Sequence, residues 1–173
     1  MSRRALGVAA LLLAAGLGAC GYNLSGHSSA LPPGVKRIGI PVFVNKTDRP
    51  DLEQRITARI ISNFITRGRY QISPNEEGVD AVLKGEILAY VLSPVSLNPQ
   101  GRATRYEILI NARASLVQTA DDKVLWQDDH FVFRRQYDVD TADTGIVSQE
   151  QAALDLVSDD FAEAVVTSIL EGF

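Results

Sequence analysis

The chain has 173 residues, with 17 Lys and Arg against 21 Asp and Glu, for a formal net charge of −4. That length suffices for one ordinary domain with a real core, and the acidic balance excludes a general nucleic-acid binder, whose footprint is basic. Cys20 is the only cysteine, which excludes an intramolecular disulfide framework.

The chain opens with a basic pair, Arg3 and Arg4, followed by an uncharged apolar run from Ala5 to Leu17 and then Leu17-Gly18-Ala19-Cys20. This is the layout of a secretory signal with a small-residue cleavage site. The run falls short of the about 20 apolar residues that a membrane span needs. Residues 1–19 are therefore expected to be a lipoprotein signal peptide, with Cys20 as the lipidated first residue of the mature chain. One acyl chain anchors only marginally, whereas two or more hold a protein stably. Loss of residues 1–19 takes Arg3 and Arg4 with it and moves the net charge from −4 to about −6. No later stretch is long and apolar enough to span, so anchoring rather than crossing is expected.

Residues 20–37, rich in Gly, Ser and Pro, read as a lipidated N-terminus and tether, and residues 38–173 as a single domain. Residues 38–44 read as a first strand, with Pro41 marking an edge or a bulge because it lacks an N–H. Pro50 and Asp51 open a helix. Leu52, Ile56, Ile60 and Phe64 form its buried stripe, Ile61 and Ile65 widen it, and Gly68 marks its end. A short strand over 69–73, a long one over 80–92 and a loop over 93–104 with Pro94, Pro99 and Gly101 follow.

The clearest strand comes next. Tyr106, Ile108, Ile110, Ala112, Ala114 and Leu116 alternate with Arg105, Glu107, Asn111, Arg113 and Ser115, the pattern of a half-buried antiparallel strand. Asp121-Asp122 turns the chain into a strand over 123–137, with a bulge expected near Asp128-Asp129. Ser148 and Gln151 form a capping pair for a last helix burying Leu154, Val157, Phe161, Val165 and Ile169. The order of elements indicates an α+β fold, with two helices packed on one face of a mixed, mainly antiparallel four-stranded sheet. The other face stays uncovered, and Leu109 and Val117 interrupt its polar residues. Such a face either meets a partner or is solvated with two stray apolar residues.

Catalytic constellations are missing from the sequence. Its two histidines, His27 and His130, are far apart, and no metal-ligand spacing, phosphate-cradling glycine loop or nucleophile elbow occurs. No enzyme activity and no cofactor are expected, and binding or assembly is the better class. Arg105 and Arg113 share a sheet face, which Arg134 joins if Phe131 and Phe133 point inward. With Arg102 in the preceding loop, they form either a patch for a phosphate-bearing lipid or ordinary cross-strand pairs with Glu107 and nearby acids.

Cys20-Gly21-Tyr22-Asn23-Leu24, Leu31-Pro32, Ile38 to Phe43 with Asn45 and Thr47, and Asn98-Pro99-Gln100-Gly101-Arg102-Ala103-Thr104-Arg105-Tyr106 together resemble the LptE family of lipopolysaccharide-assembly lipoproteins. The resemblance spans essentially the whole mature chain. It implies a non-enzymatic protein held at the periplasmic face of the outer membrane, plugging and helping to assemble the LptD β-barrel translocon and contacting lipopolysaccharide in transit. It also implies two helices on a four-stranded sheet. In relatives, basic residues of the central loop and near the start of the last helix contact the glycolipid. Here the loop's basic residues are Arg102 and Arg105, while residues 138–150 carry Asp138, Asp140, Asp143 and Glu150 and no cation. The first strand, Asn-x-Thr and amphipathic helix also occur in lipoprotein subunits of oligomeric outer-membrane secretion channels, which is the alternative reading.

Overall fold

In a computed structural model, residues 31–67, 70–139 and 146–171 are described. Cys20, His27, Gly68, the acidic residues Asp140 and Asp143, and the side chain of Ser148 lie outside them. The elements in chain order are β1 (Arg37–Gly39), β2 (Val44–Asn45), α1 (Leu52–Thr66), β3 (Gln71–Ser73), β4 (Ala81–Leu97), β5 (Ala103–Gln118), β6 (Val124–Asp138) and α2 (Ile146–Glu171).

Strand alternation builds the frame. Ile108, Ile110, Ala112, Ala114 and Leu116 of β5 are all buried, as expected from their period of two. Antiparallel pairing to β4 on one side and β6 on the other places Leu83 beside Leu116 and Phe133 beside Ile110 on the same inner face. Asp122, at a φ of 54°, turns the chain into β6 as expected. The expected bulge is also present: Ala112 pairs with Phe131 but Ala114 with Asp128, so β6 holds one extra residue there.

The sheet differs from the expectation of four mainly antiparallel strands. Among the described residues it has six, in the order β3-β1-β4-β5-β6 with β2 also on β4, and three of its five pairings (β1–β3, β1–β4 and β2–β4) are parallel. The cause lies at Pro41, which cannot donate to a ladder. The strand expected over 38–44 breaks there into two short pieces, both laid along β4. Ile40 N–H bonds to Ser73 O at 2.8 Å, which ties β3 to the edge beyond β1. Leu31 and Val35, within the segment read as a tether, are buried in the core.

Both helices cover the inner face. Leu52, Ile56, Ile60 and Phe64 are fully buried on α1, each contributing about 2 kcal/mol. Ile65, expected to widen this stripe, is exposed, and Thr57 takes part in the buried side instead. On α2 the expected Leu154, Val157, Phe161, Val165 and Ile169 are all buried. Phe161 meets Phe131 and Phe133 of β6 edge to face, with centroids 5.2 and 6.2 Å away. Polar pairs join the helix layer along one seam. Arg49 holds Glu150 at 2.7 Å, Arg55 holds Asp155, Arg59 holds Asp159 at 3.2 Å, and Arg67 donates to Thr167 at 2.7 Å. Partners stay about 100 residues apart from end to end, so α1 and α2 run parallel.

Phe43 and Asp80 fasten the first part of the chain to this frame. The Phe43 ring lies on the backbone of Gly85, where a Cβ would stand only 2.1 Å from Cε2. The Phe43 N–H bonds to the buried Thr57 Oγ1 at 3.0 Å. Asp80 Oδ2 accepts from Arg37 N–H at 2.8 Å and from Lys36 N–H at 2.9 Å. These backbone donors, Arg37 first, hold the Asp80 carboxyl below its ordinary 3.8.

Gly85→Ala is expected to destabilise the domain by about 1–3 kcal/mol, because the Phe43 ring must leave its seat, measured as a lower urea midpoint with an unchanged slope. Asp80 has a depressed folded pKa, so its stabilisation is present above 3.8 and lost as pH falls through the lower folded value. Melting temperature followed from pH 5 to pH 2 is therefore expected to fall less steeply in Asp80→Asn than in the parent.

Candidate functional site

With both helices on one face, the opposite face of the β4–β5–β6 ribbon is left without a covering layer among the described residues. Its residues follow from the register. Across the three strands the rows are Glu86–Arg113, then Ala89–Asn111–Val132, Val91–Leu109–Arg134, Ser93–Glu107–Gln136 and finally Arg105–Asp138. Val91 and Val132 are 46% and 44% exposed and Leu109 is half-buried, so an apolar diagonal spanning two rows crosses the middle of a polar face. Leu88, Val95 and Leu97 extend the exposed apolar surface along β4. Asn111 Oδ1, in the row between Ala89 and Val132, is shielded from solvent and has no hydrogen-bond partner among the described residues.

The four arginines singled out from the sequence lie on this face or at its tip, but they do not converge. Arg105 and Arg113 are eight residues apart on β5, roughly 27 Å at the strand rise. Arg105 Nε bonds to Asp138 at 2.6 Å, and that bond raises the arginine's pKa further above its ordinary value. Arg113 bonds to Glu86 at 2.8 Å. Cross-strand pairing thus occupies these two, although the acids are Asp138 and Glu86, while Glu107 accepts from Gln136. Arg134 does share their face, since Phe131 and Phe133 point at α2. Neither Arg134 nor Arg102 makes an ion pair among the described residues.

The loop expected over 93–104 is mostly strand. β4 continues to Leu97 and β5 begins at Ala103, leaving a tight turn. Asn98 closes it: its Oδ1 accepts from Gln100 N–H and Arg102 N–H, and its carbonyl accepts from Gly101 N–H. Gly101 supplies the positive φ, 76°, that the turn requires. Pro94 is accommodated inside β4 because its outer edge there faces no strand among the described residues; β2 reaches only as far as Ile87. Arg102 is therefore presented at the tip of a long hairpin.

Beneath the tip, on the helix side, lies an aromatic cluster that sequence reasoning missed. Tyr106 and Tyr137 stack with centroids 5.9 Å apart, and Arg49, paired to Glu150, lies over the Tyr90 ring at 5.6 Å. Burial, with Glu150 next, pushes Tyr137 up to about 12, so its phenol stays protonated at neutral pH and the ring serves as a packing group. Only the heading of β5 by Tyr106 signalled this cluster, since the other members come from four separate segments.

The chemistry on offer is recognition. A shallow groove of about 260 Å³ on the outer face is lined by Lys84, Glu86, Arg113, Ser115, Gln127 and Asp129. Lys84, Glu86 and Arg113 are engaged in Lys84–Glu76 and Arg113–Glu86 pairs, and Asp129 accepts from Gln127. Among the described residues no three His, Cys, Asp or Glu side chains gather as metal ligands, and no helix is long and apolar enough to cross a membrane.

Several solved structures share the fold at low identity. The hypothetical protein CT253 from Chlamydia trachomatis is 12% identical over 78% of this chain and 95% of its own, with a TM-score of 0.52. Protein XCC0632 from Xanthomonas campestris is 11% identical over 80% and 85%, also at 0.52. PelC, seen as a dodecamer from Paraburkholderia phytofirmans, is 12% identical over 83% and 95%, at 0.51. These likenesses concern the fold alone. No curated protein matches the chain in sequence. The profile of the LptE lipopolysaccharide-assembly family, a non-enzymatic family of outer-membrane lipoproteins, matches residues 35–169, from before β1 to the last turn of α2. The chain belongs to the LptE lipopolysaccharide-assembly family.

Proposed function

We propose that this protein plugs the lumen of an LptD-type β-barrel in the outer membrane and helps that barrel assemble and pass lipopolysaccharide to the cell surface. Lipidation at Cys20 holds it at the periplasmic face. The observation that carries the reading is the uncovered sheet face, where Val91, Leu109 and Val132 cross a field of polar side chains. A mixed surface of this kind suits docking against the wall of a barrel, whose interior is polar, and exposed apolar rows rimmed by polar residues mark interaction sites. The lipid anchor raises the local concentration of plug beside barrel and is not itself the function.

Lipid contact in this reading falls on Arg102, Arg105, Arg113 and Arg134, since guanidinium matches phosphate bidentately. Arg102 and Arg134 are the members without an ion pair among the described residues, and they can meet phosphate without first breaking one. Arg105 and Arg113 would have to exchange a carboxylate for it.

Photo-crosslinking in cells from positions 91, 97, 102 and 132 is expected to capture an LptD-type barrel; recovery of no barrel protein from any of them would contradict the plug reading. Arg102→Glu combined with Arg134→Glu is expected to weaken lipopolysaccharide binding by about tenfold at an unchanged urea midpoint. Undiminished binding would remove these arginines from the lipid contact.

A further inference from the structure

The sheet ends on β6, a strand of 15 residues that among the described residues pairs only with β5. A long unpaired edge is a template for another strand, and proteins blunt such edges with charges, prolines or bulges. The other free edge at this end, β4 beyond Ile87, is blunted by Pro94 and by register shifts on both sides of Ser96. In β6 the bulge near Asp128 leaves one regular stretch, from Phe131 to Asp138.

Backbone parity shows which groups that stretch offers. Val139 N–H bonds to Thr104 O at 2.9 Å, in step with the Arg105–Asp138 register. Odd-numbered residues therefore direct their N–H and C=O at β5, and the even-numbered Val132, Arg134, Gln136 and Asp138 direct theirs outward. A second strand must align its own outward-facing groups with these. For a second copy in antiparallel pairing, only registers that set even residues opposite even residues qualify.

Charge selects among those registers. An axis at Arg134 sets that arginine against itself. Axes at Phe133 and Arg135 set it against Val132 and Gln136. An axis at Gln136 sets Arg134 of each copy opposite Asp138 of the other. Asp138 already holds Arg105 at 2.6 Å, so each carboxylate would lie between two guanidinium groups, and Arg134 would gain the partner it lacks among the described residues. Arg135, the other cation of the stretch, is neutralised on the inner face by Asp160 of α2. The two charges that look like edge protection are thus matched, one within the chain and one across the axis.

We propose that β6 is a homodimerisation edge on which two free copies pair antiparallel about a two-fold axis at Gln136, joining Arg134 of each to Asp138 of the other. The inference concerns the chain outside its barrel and does not depend on the plug reading. Pairing over so short a stretch stays below the about 1,200 Å² that a stable interface buries, so the dimer is weak and concentration-dependent.

The test is sedimentation equilibrium of the full chain carrying Cys20→Ser in nonionic detergent, with circular dichroism as the check of folding. The parent is expected to show a monomer–dimer equilibrium. Arg134→Asp and Asp138→Arg are each expected to weaken it by about tenfold or more, since each creates like-charge pairs. An equimolar mixture of the two variants restores opposite charges at both positions and is expected to recover the dimer. Gln136→Cys faces its own copy across a hydrogen-bonded pair with Cα atoms about 5.5 Å apart, within disulfide range, and is expected to crosslink under mild oxidation. It serves as the readout if a charge variant misfolds. A parent that stays monomeric at every concentration, a dimer indifferent to both charge variants, or a mixture that fails to recover it would overturn the proposal.

Discussion

The register of β5 is the constraint on which the rest of the molecule depends. Its five inward residues, Ile108 through Leu116, are all buried. A slip of one residue would move them to the outer face and bring Arg105, Glu107, Asn111 and Arg113 into the core, at a cost no domain of this size survives. The same register decides which side chains of β4 and β6 meet the helices. It places Phe131 and Phe133 against Phe161, and sends Val132 and Arg134 outward. The apolar diagonal Val91, Leu109 and Val132 on the outer face is therefore a consequence of how the core is packed.

The helix layer responds to the same frame. Parallel helices with about 100 residues between partners bring two chain-distant segments into one seam, and four polar pairs line it. These pairs are partly exposed, so each adds little on its own; the buried stripes of α1 and α2 supply most of the stabilisation. The pairs instead fix alignment, because a one-turn slide of α2 would take Glu150 away from Arg49 and Thr167 away from Arg67. The seam spends the chain's α1 cations on α2 acids and leaves the outer sheet face as the surface open to partners.

Much of this was legible in the residues. The period of two in β5, the four-residue spacing of Leu52, Ile56, Ile60 and Phe64, and the Asp128-Asp129 break each have a local cause, and each appears in the structure. Features decided by distant partners were not legible. Pro41 signalled an edge or a bulge, yet the parallel addition of β1, β2 and β3 depends on Ser73 and Ile87, far along the chain. The 93–104 segment reads as a loop from its prolines, but Pro94 is tolerated in a strand whose edge is free. Ile65 looked like an extension of the helical stripe, and Thr57 replaces it because the Phe43 N–H needs an acceptor. For the arginines, the face was readable from parity, while their partners were not: Glu86 lies 27 residues from Arg113 and Asp138 lies 33 from Arg105.

Membership of the LptE family gives this architecture its setting. Within that setting, the central claim is that the open sheet face is what a barrel wall covers. The most direct measurement is maleimide labelling of Val91→Cys and Val132→Cys, each in a Cys20→Ser background, for the free chain and after co-purification with an LptD-type barrel. Both cysteines are expected to react readily when the chain is free and to be protected in the complex. Equal reactivity in the two states would show that the face remains in water and would contradict the account.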